Sequence, residues 1–296
     1  MRVARARPPD VVVRPISSSL QGRIMKTSLS SLVSRLSTSK PEPSAFDHDA
    51  EVDSRFESNT EANMFRGVFD TWEAAAASAP HSRPLGYDNP DSAALYLRHL
   101  SVEDWDYPAL FWIADSVNRG LRRFADIGGS VGIKYYAFGK FVRFPANLYW
   151  RVIDVPAVVA RGREFALQRG APASLEFSED IDDIDGVDVV FASGSLQYLP
   201  ETLPHILRRT NRRPRRIVIN TTPFHEQHEF FTLNSVGTAF CPYRVQRTES
   251  FVADLSTFGY RLRDQWRNIG KPMHIPFHPE RSLDSYVGFC FDAVEN

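Results

Sequence analysis

Short apolar runs alternate with longer amphipathic stretches between residues 122 and 293. The runs are strand-sized, and the stretches between them repeat their apolar residues at helical spacing. This alternation predicts an α/β fold with a doubly wound, mainly parallel sheet whose last two strands are antiparallel. The predicted strands are Arg123–Ile127, Tyr149–Val155, Ser174–Phe177, Val187–Ala192, Arg216–Asn220, Tyr260–Arg267 and Tyr286–Ala293.

The chain before residue 120 has a different pattern. Residues 62–119 contain three stretches with helical spacing, so we expect a helical cap next to the sheet. Residues 1–61 are poor in apolar residues, first basic and then acidic, and we expect a disordered extension. Residues 1–40 hold eight basic residues against Asp10 alone, a net charge of +7. A transit peptide, or a true start at Met25, is the alternative interpretation of this segment.

Charge and composition narrow the classes of function. The net charge of −1 over 296 residues is unlike the basic field of a dedicated nucleic-acid binder. No apolar run approaches the roughly 18 residues that cross a bilayer, so we expect no transmembrane segment. The two cysteines are not in a CxxC spacing, so we expect neither a disulfide scaffold nor a metal site. This cysteine usage favours a cytoplasmic location.

A glycine-rich loop follows the first predicted strand. Asp126 ends that strand, and Gly128, Gly129 and Gly132 follow it, with Ser130 among them. In open α/β sheets, ligands bind beyond the carboxyl ends of the strands, at turns of this kind. An acid before the glycines would repel a pyrophosphate, whereas it suits a cationic or neutral group such as the amino group of a methionine moiety. The loop therefore favours S-adenosylmethionine (SAM) over a nicotinamide dinucleotide.

Acidic residues also stand at the ends of the next two predicted strands. Asp154, followed by Val155, closes the second strand, where an acid typically binds ribose hydroxyls. Glu179 and Asp180 follow the third strand, where we expect an acid to meet an adenine amino group. Three consecutive strand ends therefore carry acids along one edge of the predicted sheet.

These segments resemble a known family. Asp126–Gly132 resembles motif I of class I SAM-dependent methyltransferases, Ile153–Val158 resembles their ribose-binding segment, and Asp188–Leu199 resembles their motif IV. More narrowly, the chain is similar to a family of methyltransferases often encoded with bacterial surface-polysaccharide genes. The segments that carry this narrower resemblance are Phe65–Trp72, Gly86–Asp88, Tyr107–Leu110, Gly128–Gly132 with Tyr135 and Tyr136, Gly194–Tyr198, Asn220–Pro223, Pro242–Val245 and Gly259–Tyr260.

The resemblance implies a Rossmann-like, doubly wound, seven-stranded methyltransferase sheet over residues 120–296, with SAM as the cofactor. Its function would be methyl transfer to an oxygen or nitrogen of a small-molecule or saccharide-linked acceptor, with a place in polysaccharide biosynthesis. The partners expected are that small-molecule or glycan acceptor and, as an open possibility, a second copy in a homodimer. The expected cofactor-binding residues are Asp126, Gly128, Gly129, Ser130, Gly132, Asp154, Val155, Glu179, Asp180, Ser193 and Gly194.

The reaction needs a group that removes the acceptor's proton, because the sulfonium already makes the methyl group electrophilic. His225 and His228 follow a predicted strand and are our candidate bases, and Tyr198 is a candidate acceptor contact. The spacing of the two histidines does not match a zinc motif. His274 and His278 lie in a proline-rich loop, where a substrate-facing role is the alternative to a solvated one. A nicotinamide-dependent oxidoreductase and a non-catalytic binding module remain the alternative functions.

Overall fold

The computed structural model describes residues 45–60, 63–95 and 100–294, with side chains from residue 49 onward. The basic segment 1–40, including Met25, lies outside these residues. The described residues belong to one compact unit. Its helices are α1 (Ala45–Ser58), α2 (Trp72–Ala77), α3 (Pro90–Ala94), α4 (Tyr107–Asn118), α5 (Ile133–Phe138), α6 (Pro156–Gln168), α7 (Leu203–Leu207) and α8 (Thr248–Thr257). Its strands are β1 (Met64–Phe69), β2 (Arg123–Ile127), β3 (Tyr149–Ile153), β4 (Leu175–Ser178), β5 (Val189–Ser193), β6 (Arg216–Thr222), β7 (Phe224–His225), β8 (Phe230–Ser235), β9 (Phe240–Arg247), β10 (Tyr260–Asn268) and β11 (Tyr286–Ala293).

The main sheet has seven strands in the order β10-β11-β6-β5-β2-β3-β4. The five strands from β6 to β4 are parallel, whereas β11 runs antiparallel to both β10 and β6. Phe124 of β2 lies opposite Trp150 of β3 on one side and Val189 of β5 on the other. This order confirms the predicted Rossmann-like, doubly wound, seven-stranded sheet, including its antiparallel end.

Successive residues of a strand point to opposite faces of the sheet. Both faces of this sheet therefore carry apolar side chains, and helices cover both. Ala125 and Ile127 belong to a buried cluster with residues of α7 and α8. Phe124 belongs to a second cluster with α4, α5 and α6, where its ring stacks on Trp150 with centroids 5.2 Å apart. Strands buried on both faces explain the nearly continuous apolar runs in the sequence.

A second sheet of four strands, in the order β1-β8-β9-β7, was not predicted. β1 pairs antiparallel with β8, and β8 pairs antiparallel with β9. The prediction of a mostly helical cap over residues 62–119 did not include β1, which lies in a sheet with residues from the second half of the chain. The strands β7, β8 and β9 likewise lie where the sequence analysis predicted no strand, after Asn220.

The acidic part of the predicted extension also differs from expectation. Residues 45–58 form helix α1, whose Phe56 has no exposed surface and stacks on Phe240 of β9 with ring centroids 5.4 Å apart. Burial of a single aromatic ring on a neighbouring sheet stabilises a helix that its mostly polar composition does not predict. Within the described residues, no helix is both long and apolar enough to cross a membrane.

Candidate functional site

A cavity of about 1270 Å³ lies between the carboxyl ends of the parallel strands and the four-stranded sheet. Residues that follow β2, β3 and β5 form one wall, and residues of β1 and β9 form part of another. Pockets for one small ligand typically measure about 300–1,000 Å³. The cavity is therefore large enough for two ligands side by side.

The glycine loop after β2 is packed so tightly that side chains do not fit. A Cβ atom on Gly128, where φ is +66°, would lie 2.2 Å from the Cβ of Ser195. A Cβ atom on Gly129 would lie 2.5 Å from the carboxylate of Asp126. The Ser195 hydroxyl donates to the Ile127 carbonyl over 2.5 Å, which holds the end of β5 against the end of β2. The loop thus presents bare backbone to the cavity.

Asp126 lies directly beneath this loop, as its place before the glycines predicts. Its side chain is buried, with 1% of the residue exposed, and it accepts a hydrogen bond of 3.2 Å from the Trp150 indole. Burial raises the pKa of Asp126 to about 7, and the nearby Asp154 carboxylate adds to the rise. The carboxyl group lines the cavity floor and is poised between its neutral and charged forms near neutral pH.

Asp154 connects the glycine loop to the end of β3. One carboxylate oxygen accepts a 2.9 Å hydrogen bond from the Ser130 amide, and the other accepts a 2.8 Å bond from the Val155 amide. Ser130 has a φ of +56°, the left-handed conformation that glycine adopts more easily. Burial raises the pKa of Asp154 to about 6, despite the two amide donors. Each oxygen keeps a free lone pair that a hydroxyl group of a ligand can use.

The other predicted cofactor-binding residues divide into two groups. Ser193 and Gly194 line the cavity, and so does Glu179, whose exposed carboxylate lies 3.7 Å from Arg163. Gly132 and Asp180 are not among the lining residues. Gly132 begins α5 with a φ of +86°, and the Asp180 carboxylate accepts from the Asp182 amide over 2.9 Å, which caps a 3-10 turn. The structure thus gives the last two residues local structural roles.

The two candidate bases do not lie in the cavity lining, whereas Tyr198 does. Nε2 of His225 lies 3.0 Å from the Glu280 carbonyl, and its Nδ1 accepts from the amides of Gln227 and His228. Both ring nitrogens of His225 are therefore engaged by backbone, and the assignment of His225 and His228 as bases is withdrawn. The reason is β7, which pairs with β9, so that the segment after β6 does not stay at the cofactor edge of the main sheet.

His274 lines the cavity, alone among the histidines whose side chains the structure describes. It lies in the connection between β10 and β11, whose other histidine, His278, is not a lining residue. The Tyr198 hydroxyl donates to the Asn234 side chain over 2.9 Å, which fixes its ring in the wall. His274 is therefore the imidazole best placed to exchange a proton with a bound ligand.

A buried polar network that the sequence did not reveal forms another part of the wall. Asp106 is fully buried and accepts hydrogen bonds from Lys134 Nζ at 2.5 Å and from the Asn220 side chain at 3.1 Å. Lys134 lies on α5, just after the glycine loop, and Asn220 lies near the end of β6. The only sequence signal was the position of Lys134 beside the loop, because its partner Asp106 lies 28 residues before it and Asn220, the other donor to Asp106, lies 114 residues after Asp106.

Aromatic side chains line much of the remaining wall. The hydroxyl groups of Tyr243 and Tyr286 are buried and lie 2.8 Å apart. Burial raises the pKa of Tyr286 to about 12, so this phenol stays protonated at neutral pH and acts as a hydrogen-bonding group. The aromatic residues of the lining are Phe65, Trp72, Tyr87, Trp105, Tyr198, Tyr243 and Tyr286.

No protein-family profile matches the chain, and no curated protein matches it. Among solved structures, the chain is similar to the Burkholderia thailandensis 1,6-didemethyltoxoflavin-N1-methyltransferase, with 16% identity and a TM-score of 0.44 over 69% of this chain and 83% of the other. It is also similar to a SAM-dependent methyltransferase from Clostridium acetobutylicum, with 9% identity and a TM-score of 0.45 over 69% and 98% of the two chains. A third similar structure is the mitomycin 7-O-methyltransferase, with 15% identity and a TM-score of 0.43 over 76% and 61%.

Proposed function

We propose that the protein is a SAM-dependent methyltransferase that transfers a methyl group to an oxygen or nitrogen of a small-molecule or saccharide-linked acceptor. One observation carries the proposal: two acids that line the cavity hold a bare glycine loop in its wall. Asp126 lies beneath Gly129, and Asp154 holds Ser130 by its amide. The arrangement has the acids at the carboxyl ends of β2 and β3, where ligands of open α/β sheets bind.

The residues present fit SAM better than a dinucleotide. A pyrophosphate at the loop would face the carboxyl groups of Asp126 and Asp154, both of which line the cavity. SAM carries a sulfonium and an ammonium group in place of a pyrophosphate, and buried carboxylates favour cations. The nicotinamide-dependent oxidoreductase is therefore the weaker alternative.

The roles of the lining residues follow from their order along the sheet edge. The loop backbone and Asp126 would hold the methionine part, Asp154 the ribose hydroxyls, and Glu179 the adenine edge. Ser193 and Gly194, at the end of β5, would border the transferred methyl group. SAM supplies an electrophilic methyl group, so the protein has to exclude water and align the acceptor.

The rest of the cavity would hold the acceptor. Its aromatic wall offers flat apolar faces and hydroxyl groups, which suit a ring with polar substituents, including a sugar ring. His274 would take the proton of an acceptor hydroxyl, because its imidazole lines the part of the cavity proposed for the acceptor. The saccharide-linked acceptor is proposed on the resemblance to the polysaccharide-associated family.

The test is a calorimetric titration of the full chain with S-adenosylhomocysteine (SAH), with NADH as the parallel ligand. We expect saturable one-to-one binding of SAH alone. Asp154→Ala should weaken SAH binding at least tenfold, because both the ribose contacts and the support of the loop are lost. Asp180→Asn is the matched control, since Asp180 is an acid of the same sheet edge outside the lining, and we expect a change of less than twofold.

Two outcomes would contradict the proposal. Binding of NADH alone would favour the oxidoreductase, and binding of neither ligand by a folded sample would favour a non-catalytic module. If SAH binds, SAM turnover with nucleotide sugars and glycans would then identify the acceptor class. His274→Gln should lower that turnover strongly while leaving SAH affinity unchanged.

A further inference from the structure

Lys271 occupies a fixed position in the cavity wall. It lies in the connection 269–285 between β10 and β11, next to Pro272 and near His274, which also line the cavity. Its amide donates to the Asn268 carbonyl over 3.2 Å, and its carbonyl accepts from the Tyr286 amide over 3.0 Å. The backbone is thus tied to both flanking strands, and the side chain starts from a well-defined point.

The ammonium group of Lys271 has no counterion in the part of the chain that the structure describes. Its Nζ lies 4.4 Å from the centre of the Trp105 ring, a cation–π contact, and forms no salt bridge or hydrogen bond with the described residues. Burial lowers the pKa of Lys271, and the positive charge of Lys134 adds to that effect, whereas the carboxylates of Asp106 and Glu103 oppose it without contacting the ammonium group. A partly buried cation without a contacting anion raises the free energy of the folded chain, and a bound anion would lower it again.

The acids nearest to Lys271 are already engaged. Asp106 accepts hydrogen bonds from Lys134, from Asn220 and from the amide of Glu103. The Glu103 carboxylate accepts from the Ser101 hydroxyl over 2.7 Å. Of the two lysines in the lining, Lys134 is therefore neutralised by Asp106, whereas Lys271 keeps its charge available.

We propose that Lys271 is the anion-binding residue of the cavity and takes a carboxylate or phosphate group of a bound ligand. The remaining charged groups of the described lining are mostly acids, so an anionic group has one favourable place in the cavity. The flat face of Trp105 beside the ammonium adds a surface for the ring or chain that carries the anion. The inference rests on the proposed function, which supplies two sources of the anion. One is the methionine carboxylate of SAM, and the other is an anionic group of the acceptor.

The first arm of the test asks whether the cofactor supplies the anion. The full chain and its Lys271→Met variant are titrated with SAH and with 5′-methylthioadenosine, which lacks the amino acid part. If the cofactor carboxylate is the anion, SAH affinity falls about tenfold in the variant, as expected for one charge-assisted hydrogen bond, and 5′-methylthioadenosine binds equally to both proteins.

The second arm asks whether the acceptor supplies the anion. Ligand-observed NMR compares the binding of benzoate with that of the neutral, similarly shaped benzamide, each with and without saturating SAH. Phenyl phosphate then replaces benzoate to test a phosphate as the anion. If the acceptor carries the anion, the wild type prefers an anionic probe several-fold over benzamide. Lys271→Met loses that preference, and Lys271→Arg keeps it.

Lys140→Met is the matched control for both arms, because Lys140 is not among the lining residues. The inference is overturned if Lys271→Met, folded by circular dichroism, changes neither SAH affinity nor the preference for an anionic probe. Failure of the wild type to bind SAH would instead reject the methyltransferase proposal. The probe measurements without SAH would still decide the role of Lys271.

Discussion

Two carboxyl groups that line the cavity lie in an environment that destabilises their charged form. Burial is the largest cause of the raised pKa values of about 7 for Asp126 and about 6 for Asp154. A buried acid binds its proton more tightly in the folded chain than in the unfolded chain, where its pKa is about 4. Each bound proton stabilises the folded chain fully at pH values below the unfolded pKa. This stabilisation is lost as the pH rises through the pKa of the folded chain.

Asp126→Asn tests this reasoning, because an amide keeps the shape of the acid and cannot ionise. We expect the stability of the variant relative to the wild type to rise between pH 4 and pH 8, by on the order of 3 kcal/mol for a shift of this size. Urea denaturation of both proteins without ligand, at steps of one pH unit, measures the difference. A difference in free energy of unfolding that does not change with pH would show that Asp126 titrates normally.

Gly129→Ala tests the packing of the loop on the acid beneath it. The new methyl group would lie 2.5 Å from the Asp126 carboxylate, so the loop has to move away from it. We expect a loss of stability of about 1–3 kcal/mol and at least tenfold weaker SAH binding. Gly170→Ala is the contrasting control, because Gly170 has a φ of +59° with open space around its Cβ position, whereas Gly129 is not among the glycines with positive φ. That substitution introduces backbone strain without a contact, so we expect it to leave SAH binding unchanged. Unchanged SAH binding in Gly129→Ala would contradict the role of the contact with Asp126.

At the scale of single residues, the sequence predicted what is local in the chain. The glycine loop and the acids at strand ends are adjacent in sequence to the strands that position them, so nine of the predicted cofactor residues line the cavity. The contact of Lys134 with Asp106 depends on two segments that meet only in the folded chain. The candidate bases lie outside the cavity lining for the same reason, since the position of His225 is decided by the pairing of β7 with β9.

At the scale of elements, helix α1 depends on one arginine. The Arg83 guanidinium lies 4.1 Å from the centre of the Phe240 ring and donates to the carbonyls of Phe56, Glu57, Asn59 and Gly237. Carbonyls at the end of a helix have no partner within the helix. Arg83 therefore supplies the donors that hold the end of α1 on the second sheet.

Arg83→Met should release α1 without unfolding the main sheet. We expect amide exchange in residues 45–58 to become at least tenfold faster, because the lost hydrogen bonds from a charged donor each contribute about 1.5–3 kcal/mol. Hydrogen exchange with mass spectrometry measures the change. Arg161→Met is the control, since Arg161 pairs with Glu164 on the surface of α6. Unchanged exchange in residues 45–58 of Arg83→Met would contradict the assignment.

The elements of the main sheet were predictable because their signals are local and repeated. Strands β2, β3, β5 and β11 lie within about two residues of their predicted bounds, and buried apolar runs between helical stretches define them. The second sheet was missed because β8 is buried along its whole length and β9 is buried at every residue except Arg244 and Arg247, polar residues included. Asn234 and Thr232 are buried there without the alternating pattern by which a strand is recognised.

At the scale of the whole molecule, the cavity joins the two sheets. Its lining includes residues from both the carboxyl edge of the main sheet and strands β1 and β9. A ligand that contacts both sheets stabilises the folded chain as one unit, by the free energy of its binding.

We therefore expect SAH to shift a single unfolding transition of the chain. At 100 times its dissociation constant, the ligand should add about 2.7 kcal/mol to the free energy of unfolding. Thermal denaturation monitored by fluorescence and by circular dichroism should give coincident curves with and without SAH. Two separated transitions, of which SAH moves only one, would show that the sheets unfold independently.

The pairing of β1 with β8 also has a consequence for synthesis of the chain. The Asn234 amide donates to the Met64 carbonyl across 170 positions of sequence. A ribosome adds about 5–20 residues per second, so β1 waits roughly 10–30 s for its partner strand. During that time Phe65 and its neighbours form an unpaired apolar edge, the kind of surface that chaperones bind. The wall of the cavity that β1 supplies is thus completed late, and the nascent chain acquires its binding site only after most of the main sheet has left the ribosome.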